Sequence, residues 1–554
     1  MNRREFVAAL ASATAAATSR AYADQTAATS KSSDPKTARS SDAPNILIFM
    51  PDQQNGQTVL PGSPVVKPNL DRFRGEAITF DSAHCPAPHC CPSRASFMSS
   101  RYPSEHGVFN NVSTNTAIHE NPYPGTPFWG NDLRRAGYQL GYSGKLHVGR
   151  DVTPETCGFE NLCNLEQDSY TSKADDRAKA LSRAKLDAVH SHVRGSGEII
   201  RPGWPNLQLY KTLPDAGPKG YDDLPDTKIV RAGIDGIRRM SQSSEPWCIM
   251  ISNSGAHDTY NAPKSFVDLY DIEKIRLPES YEDSLDDKPR VYQRQRYQYW
   301  SQLSKEETRQ SLLHYYAKCS LQDALFGELL DALEATGQAD NTIVVYTSDH
   351  GDYTAAHGLW MKGVPSFREA YHVPALIRWP RFTKSKEQRV DAFVEHVDFG
   401  PTFLEAAGVH NPARVSGRSL MPWIRGEKPA DWRDATFFQL NGVELYYTQR
   451  IVMTKSHKYV YNGFDYDELY DLKADSHELH NIAFPDFSRR KVAAGDVQVE
   501  HSSYPWPQIA PPYEDVRREL LQRIWQFASA HDDTIFNPYG TVALAPYGPA
   551  LSEV

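Results

Sequence analysis

The stretch 45-NILIFMPDQQN-55 holds the fold in outline. Asn45 to Met50 is an apolar run too short for a helix, and it halts at Pro51 to deliver Asp52 and Gln53. The pattern recurs. In 342-TIVVYTSDHGD-352 the β-branched run from Thr342 to Tyr346 leads to Asp349, His350 and Asp352. In 246-PWCIMISNSGAHD-258 the run Trp247 to Ser252 precedes His257, and the weaker run in 137-GYQLGYSGKLHVG-149 ends on Lys145 and His147. Uniformly apolar runs of this length read as strands buried on both faces, as in a parallel sheet. The helical stretch 308-TRQSLLHYYAKCSLQDALFGELLDALEATG-337 completes β-α-β units. The expected fold is α/β: a large, mostly parallel (mixed) sheet sandwiched by helices, with a smaller C-terminal subdomain of antiparallel sheet plus helix. Ligands of open α/β sheets bind beyond the carboxyl ends of the strands. The titratable residues gather at those ends, and it is their coincidence that carries weight.

At 554 residues the chain suits a large domain plus a smaller one. Its net charge of −9 supplies no basic surface for phosphate backbones, which argues against a nucleic-acid partner. The start, 1-MNRREFVAALASATAAATSRAYADQ-25, sets Arg3 and Arg4 before a mild alanine-rich run and an Ala21-Tyr22-Ala23 cleavage pattern. This reads as a twin-arginine-type signal peptide over 1–23, followed by a polar linker over 24–43 and export to the periplasm or medium. No stretch is apolar enough for a membrane span. Seven cysteines are present, and Cys157 with Cys163 makes a plausible local pair.

Residues 86-PAPHCCPSRASFMSSRYPSEHG-107 contain C-x-P-S-R, a spacing expected by chance in about one chain per thousand of this length. Here the chain resembles the sulfatases of the alkaline phosphatase superfamily, over about residues 44 to 485. In that family the first cysteine of the motif is oxidised to formylglycine (3-oxoalanine), by a dedicated formylglycine-generating, sulfatase-maturing enzyme. Pro92 and Arg94 stand at the right offsets from Cys90, so Cys91 fills the free position. The hydrated aldehyde offers one hydroxyl, polarised by a divalent cation, to attack sulfur and a second whose deprotonation lets sulfate leave.

The resemblance implies a metal site of Asp52, Gln53, Asp349, His350 and the modified Cys90. Such an oxygen-dominated set suits Ca²⁺, with Mg²⁺ or Mn²⁺ as alternatives. It further implies that Arg94 steadies the nucleophile, that Lys145 binds a sulfate oxygen and that His147 holds the formylglycine. His257 and Lys362, from "HGLWMKG", are placed on sulfate and the leaving oxygen, and Asn111 on the anion. "ASFMSSR" reads as a helix start, and Ser99-Ser100 replaces the family's usual Thr-Gly.

The catalytic domain is expected over 44–425, with an insert at about 165–240 in which 173-KADDRAKALSRAKLDAVHSHV-193 reads as an exposed amphipathic helix. The C-terminal subdomain and tail take 426–554, with 470-YDLKADSHELHN-481 read as a turn into a helix. Arg294 and Arg296 are candidates for contact with an anionic polymer. The function expected is an exported sulfatase acting on a sulfated poly- or oligosaccharide. The alternatives are an arylsulfatase, a phosphonate monoester or phosphodiester hydrolase of the same superfamily, or a non-catalytic sulfated-glycan binder with Cys90 left as a thiol.

Overall fold

The structure, a computed structural model, describes residues 43–112, 117–163, 165, 192–201, 206–383, 387–410, 415–442, 446–484, 509 and 512–535. Eight strands form one sheet: β1 (Asn45–Phe49), β2 (Ile78–His84), β3 (Gln139–Gly144), β4 (Glu160–Cys163), β5 (Trp247–Ser252), β6 (Thr342–Thr347), β7 (Ala375–Arg378) and β8 (Gln388–Glu395). Their order across the sheet is β8-β2-β7-β6-β1-β5-β3-β4. Strand β7 runs against both neighbours, and all other pairings are parallel. The fold is therefore α/β with a mixed, mostly parallel sheet.

The apolar runs are buried on both faces because both faces are covered. Ile46 and Ile48 join one hydrophobic cluster, while Leu47 and Phe49, one residue out of phase, join the other. Helix α1 (Cys90–Ser99) supplies Ala95, Phe97 and Met98 to the first cluster. Helices α2 (Pro225–Met240) and α3 (Lys305–Ala335) cover the second. α3 opens with a reciprocal cap: Glu307 N–H donates to Ser304 Oγ at 3.2 Å, and Ser304 N–H to Glu307 Oε2 at 2.9 Å. Strands β2, β7 and β8 gave no sequence signal. Asp81 and Ser82 interrupt β2 where it is only partly buried, and β7 has just four residues.

A second sheet of β9 (Ala435–Leu440), β10 (Gln449–Thr454), β11 (His457–Asn462) and β12 (Glu468–Asp471) is an antiparallel meander. Helix α4 (Tyr513–Ala530) packs Leu520, Leu521, Ile524 and Trp525 against its Val452, Tyr459, Tyr461 and Leu469. This sheet abuts the large one: Gln439 N–H donates to Pro86 O at 2.9 Å, on the loop that leads to Cys90.

Four expectations change. The helix of the small subdomain is α4; after β12 the chain continues as turns and irregular backbone through residue 484. The last part of the expected insert is core, since α2 buries Ile229, Val230, Ile234 and Ile237. Helix α1 begins at Cys90 itself, five residues before the expected start. Cys157 and Cys163 are free thiols, because Cys157 packs into the cluster on one face of the sheet and Cys163 against the other. The expected helix at 173–193, all but its last two residues, and the signal segment lie outside the described residues. Among the described residues no helix is long and apolar enough to cross a membrane.

Candidate active site

The parallel strands deliver their carboxyl ends to one edge, and the loops there must pass close together. Two glycines permit it. Gly255, at φ +53°, has the Asp52 backbone where a side chain would begin, and Gly144, at φ +95°, has Ser252 O there. Asp52 and Gln53 follow β1, Lys145 and His147 follow β3, His257 follows β5, and Asp349 and His350 follow β6. Cys90 arrives from the loop after β2, at the first turn of α1.

Asp52, Cys90, Asp349 and His350 are fully buried and place one ligand atom each within 4.8 Å of one another. The Cys90 Sγ lies 3.3 Å from His350 Nε2, 3.7 Å from Lys145 Nζ and 3.8 Å from Asp52 Oδ1. His350 Nδ1 is 2.8 Å from Gly351 O, which needs the proton on Nδ1 and turns Nε2 toward the cluster. Two carboxylates and an imidazole nitrogen aimed at one point make a donor set that fits a divalent cation.

Arg94 sits behind this set, 1 % exposed. Its Nε donates to Asp349 Oδ2 at 2.7 Å and one terminal nitrogen to Asp52 Oδ2 at 3.2 Å; the other donates to Lys145 O and Ser252 Oγ, both at 2.7 Å. One guanidinium thus sets both carboxylates and the ends of two strands, a planar fork that lysine cannot supply. Lys145 Nζ donates to Asp52 Oδ2 at 2.5 Å. Ser93 Oγ donates to Asp349 O at 2.5 Å and meets His396 Nδ1 at 2.8 Å, which pins α1 to the end of β6.

Charge follows from these contacts. Burial would raise the Cys90 thiol, yet Lys145, Lys362 and His350 together hold it well below the usual thiol value. Burial and the Cys90 charge push the Asp52 carboxyl up, and Lys145, His257 and Arg94 outweigh them, so it lies below the ordinary carboxylate range. Cys91 behaves as a core residue. Its thiol is raised by burial, and its Sγ accepts from Val112 N–H at 3.4 Å. The two neighbours therefore face different worlds.

A second group adjoins the cluster. Lys362 Nζ donates to Gln53 Oε1 at 2.5 Å and to His257 Nε2 at 2.6 Å. His257 Nδ1 is 2.6 Å from Asp258 O. Gln53 Nε2 donates to Asp352 Oδ2 at 2.6 Å, and its backbone N–H to Asp349 Oδ1 at 3.0 Å. The Gln53 amide oxygen, the atom a cation would use, accepts from Lys362. His147, at φ +49°, is half-buried beside Cys90 and interacts with its sulfur. Asn111 Oδ1 accepts from Cys91 N–H at 3.0 Å and so holds the first turn of α1, a use the sequence did not suggest. Arg296 lies outside the cluster, donating to Tyr281 O at 3.2 Å and packing where Gly358 leaves room. Asp352 was visible in the quoted motif without a role. It accepts from Tyr260 Oη, Gln53, Thr354 N–H and Met361 N–H, and its carboxyl is pushed up to about 6 by burial.

The Sulfatase family model matches residues 44–409, which include every residue just described. The chain belongs to the sulfatase family. A second model, the C-terminal region of N-sulphoglucosamine sulphohydrolase, matches residues 356–494. This sulfatase is 30 % identical over 456 residues to a choline-sulfatase of Rhizobium meliloti, with 79 % of this chain and 82 % of that one covered. It is 28 % identical to an N-acetylglucosamine-6-O-sulfatase of Bacteroides thetaiotaomicron, with the same coverage. Its fold matches a phosphonate monoester hydrolase of Agrobacterium radiobacter with a TM-score of 0.66 at 19 % identity, over 88 % of this chain and 96 % of that one. The sulfatase is an enzyme of sulfuric ester hydrolysis.

Proposed function

We propose that this sulfatase is exported and removes sulfate from a sulfated poly- or oligosaccharide, using a formylglycine made from Cys90 and a divalent cation, Ca²⁺ before Mg²⁺ or Mn²⁺. The observation that carries the proposal is the placing of the Cys90 Sγ within 4 Å of Asp52, His350 and Lys145 at once. A cation held by Asp52, Asp349, His350 and position 90 would neutralise the ester's charge and acidify the attacking group. Formylglycine would supply an oxygen nucleophile with a route for sulfate to leave, which a thiol lacks.

The remaining work falls to side chains. Arg94 holds Asp52 and Asp349 in place and adds positive charge behind them. Lys145 faces the anion from the β3 side, and His147 steadies position 90. The Lys362–His257 pair carries one proton between two nitrogens 2.6 Å apart, and that proton is available to the leaving oxygen. The sugar reading draws on the N-acetylglucosamine-6-O-sulfatase likeness and on the twin-arginine start, and it implies a maturation enzyme and the export machinery as partners.

Two measurements test this. Mass spectrometry of the peptide spanning residue 90, from protein matured in its native host, is expected to show formylglycine at 90 and cysteine at 91. Sulfate release from a panel of defined sulfated saccharides, set beside phenyl sulfate and phenyl phosphonate, is expected to favour a saccharide and to cease with chelator. Cysteine alone at position 90, or preference for the phosphonate, rejects the proposal; the phosphonate outcome is the one the fold likeness keeps in play.

A further inference from the structure

His89 is the buried site histidine that the chemistry above leaves unused. It precedes Cys90 and stands at the N-cap of α1, yet its side chain caps nothing. The ring is 0 % exposed, and neither Nδ1 nor Nε2 has a hydrogen-bond partner among the described residues. Three other buried histidines are used. His396 Nδ1 meets Ser93 Oγ at 2.8 Å, His372 Nε2 meets Asp81 O at 3.0 Å, and His106 bonds through both nitrogens. An imidazole buried with two idle nitrogens costs more than the leucine that could fill its volume, and such groups concentrate where a ligand completes them.

Its surroundings name the ligand. The ring lies within electrostatic reach of His350, Lys362 and Cys90: a candidate cation ligand, the candidate proton donor and the candidate nucleophile. A tetrahedral anion attacked at position 90, with its leaving oxygen toward Lys362, must lie among these three. The main chain at this point is held, because His89 N–H donates to Ala87 O at 2.9 Å and His89 O accepts from Ser93 N–H at 3.1 Å. We infer that His89 is a further substrate-contacting residue, donating a ring N–H to a non-bridging oxygen of the sulfate group. This rests on position 90 being the seat of sulfate hydrolysis.

The test uses the full, matured, metal-loaded chain with His89→Leu and His89→Gln. The readouts are the inhibition constant of inorganic sulfate, its thermal shift, Tm without sulfate, and formylglycine content at position 90. His89→Leu is expected to weaken sulfate binding about tenfold, the worth of one hydrogen bond to a charged group. Its Tm without sulfate should not fall and its formylglycine content should match wild type, while His89→Gln regains part of the binding. Unchanged sulfate binding in His89→Leu overturns the inference and leaves the sulfatase site standing. A fall in Tm that accounts for the lost binding, with no recovery in His89→Gln, also overturns it, since the ring would then be packing. Sulfate ester hydrolysis that persists undiminished in Cys90→Ala overturns the site reading and this inference together.

Discussion

The two sheets bury charge in opposite ways. In the small sheet the two buried cations, Arg450 and Lys458, each meet a carboxylate. Arg450 Nε and one terminal nitrogen clasp Asp533 at 2.5 and 2.8 Å, and the other terminal nitrogen donates to Leu440 O, Gln449 O and Asn441 Oδ1. Lys458 pairs with Glu478 at 2.8 Å and donates to Ser366 O. At the carboxyl ends of the large sheet the matching is incomplete. Asp52 Oδ2 is shared by Arg94 and Lys145, and Lys362 meets the Gln53 amide and the His257 ring, with no carboxylate in ion-pair contact among the described residues. Matched buried charge holds a fold together; converging, unmatched charge is shaped for a ligand.

That contrast can be broken by substitution. The largest effect is expected at Cys90→Ala, which should cost roughly 10³-fold or more in kcat, the scale of losing a nucleophile. Cys91→Ala should leave kcat near wild type, because its thiol serves only packing; equal losses at both positions would end the distinction between the neighbours. Lys362→Ala should cost about 10²-fold in kcat, as for loss of one transition-state donor. The loss should shrink for nitrophenyl sulfate, whose leaving group needs no proton, and an equal loss on an alkyl sulfate would remove Lys362 from proton donation.

The structural side of the contrast gives smaller effects on rate and larger ones on stability. Arg450→Met strands Asp533 and should lower unfolding free energy by about 3–5 kcal/mol in a denaturant titration. The folded fraction should keep its kcat, and adding Asp533→Leu should restore most of the stability. A fall in kcat of the folded enzyme would place Arg450 with the site after all. The smallest effect is at Ser100, the left-handed residue that closes α1 at φ +56°. Ser100→Gly should stabilise by about 1 kcal/mol with unchanged turnover, since glycine adopts that conformation without strain.

The strands β1, β5 and β6 were readable because burial on both faces demands an unbroken apolar run. Strands β2, β7 and β8 were not, because their partial exposure and short length erase that signal. Cys90, Asp349 and His350 stood out through a fixed spacing tied to a strand end. His89 and Asp352 lay in plain view inside the quoted motifs. Their meaning depends on what surrounds them, and composition carries no trace of that.

The chain order alone determined the α/β class, the family and the group of side chains gathered at the strand ends, since each follows from local period and spacing. Only the tertiary structure decided that the Gln53 oxygen goes to Lys362, that Asn111 braces α1 and that Cys157 and Cys163 lie on opposite faces of the sheet. Those outcomes depend on how residues distant in sequence pack across a sheet, and no local pattern encodes that distance.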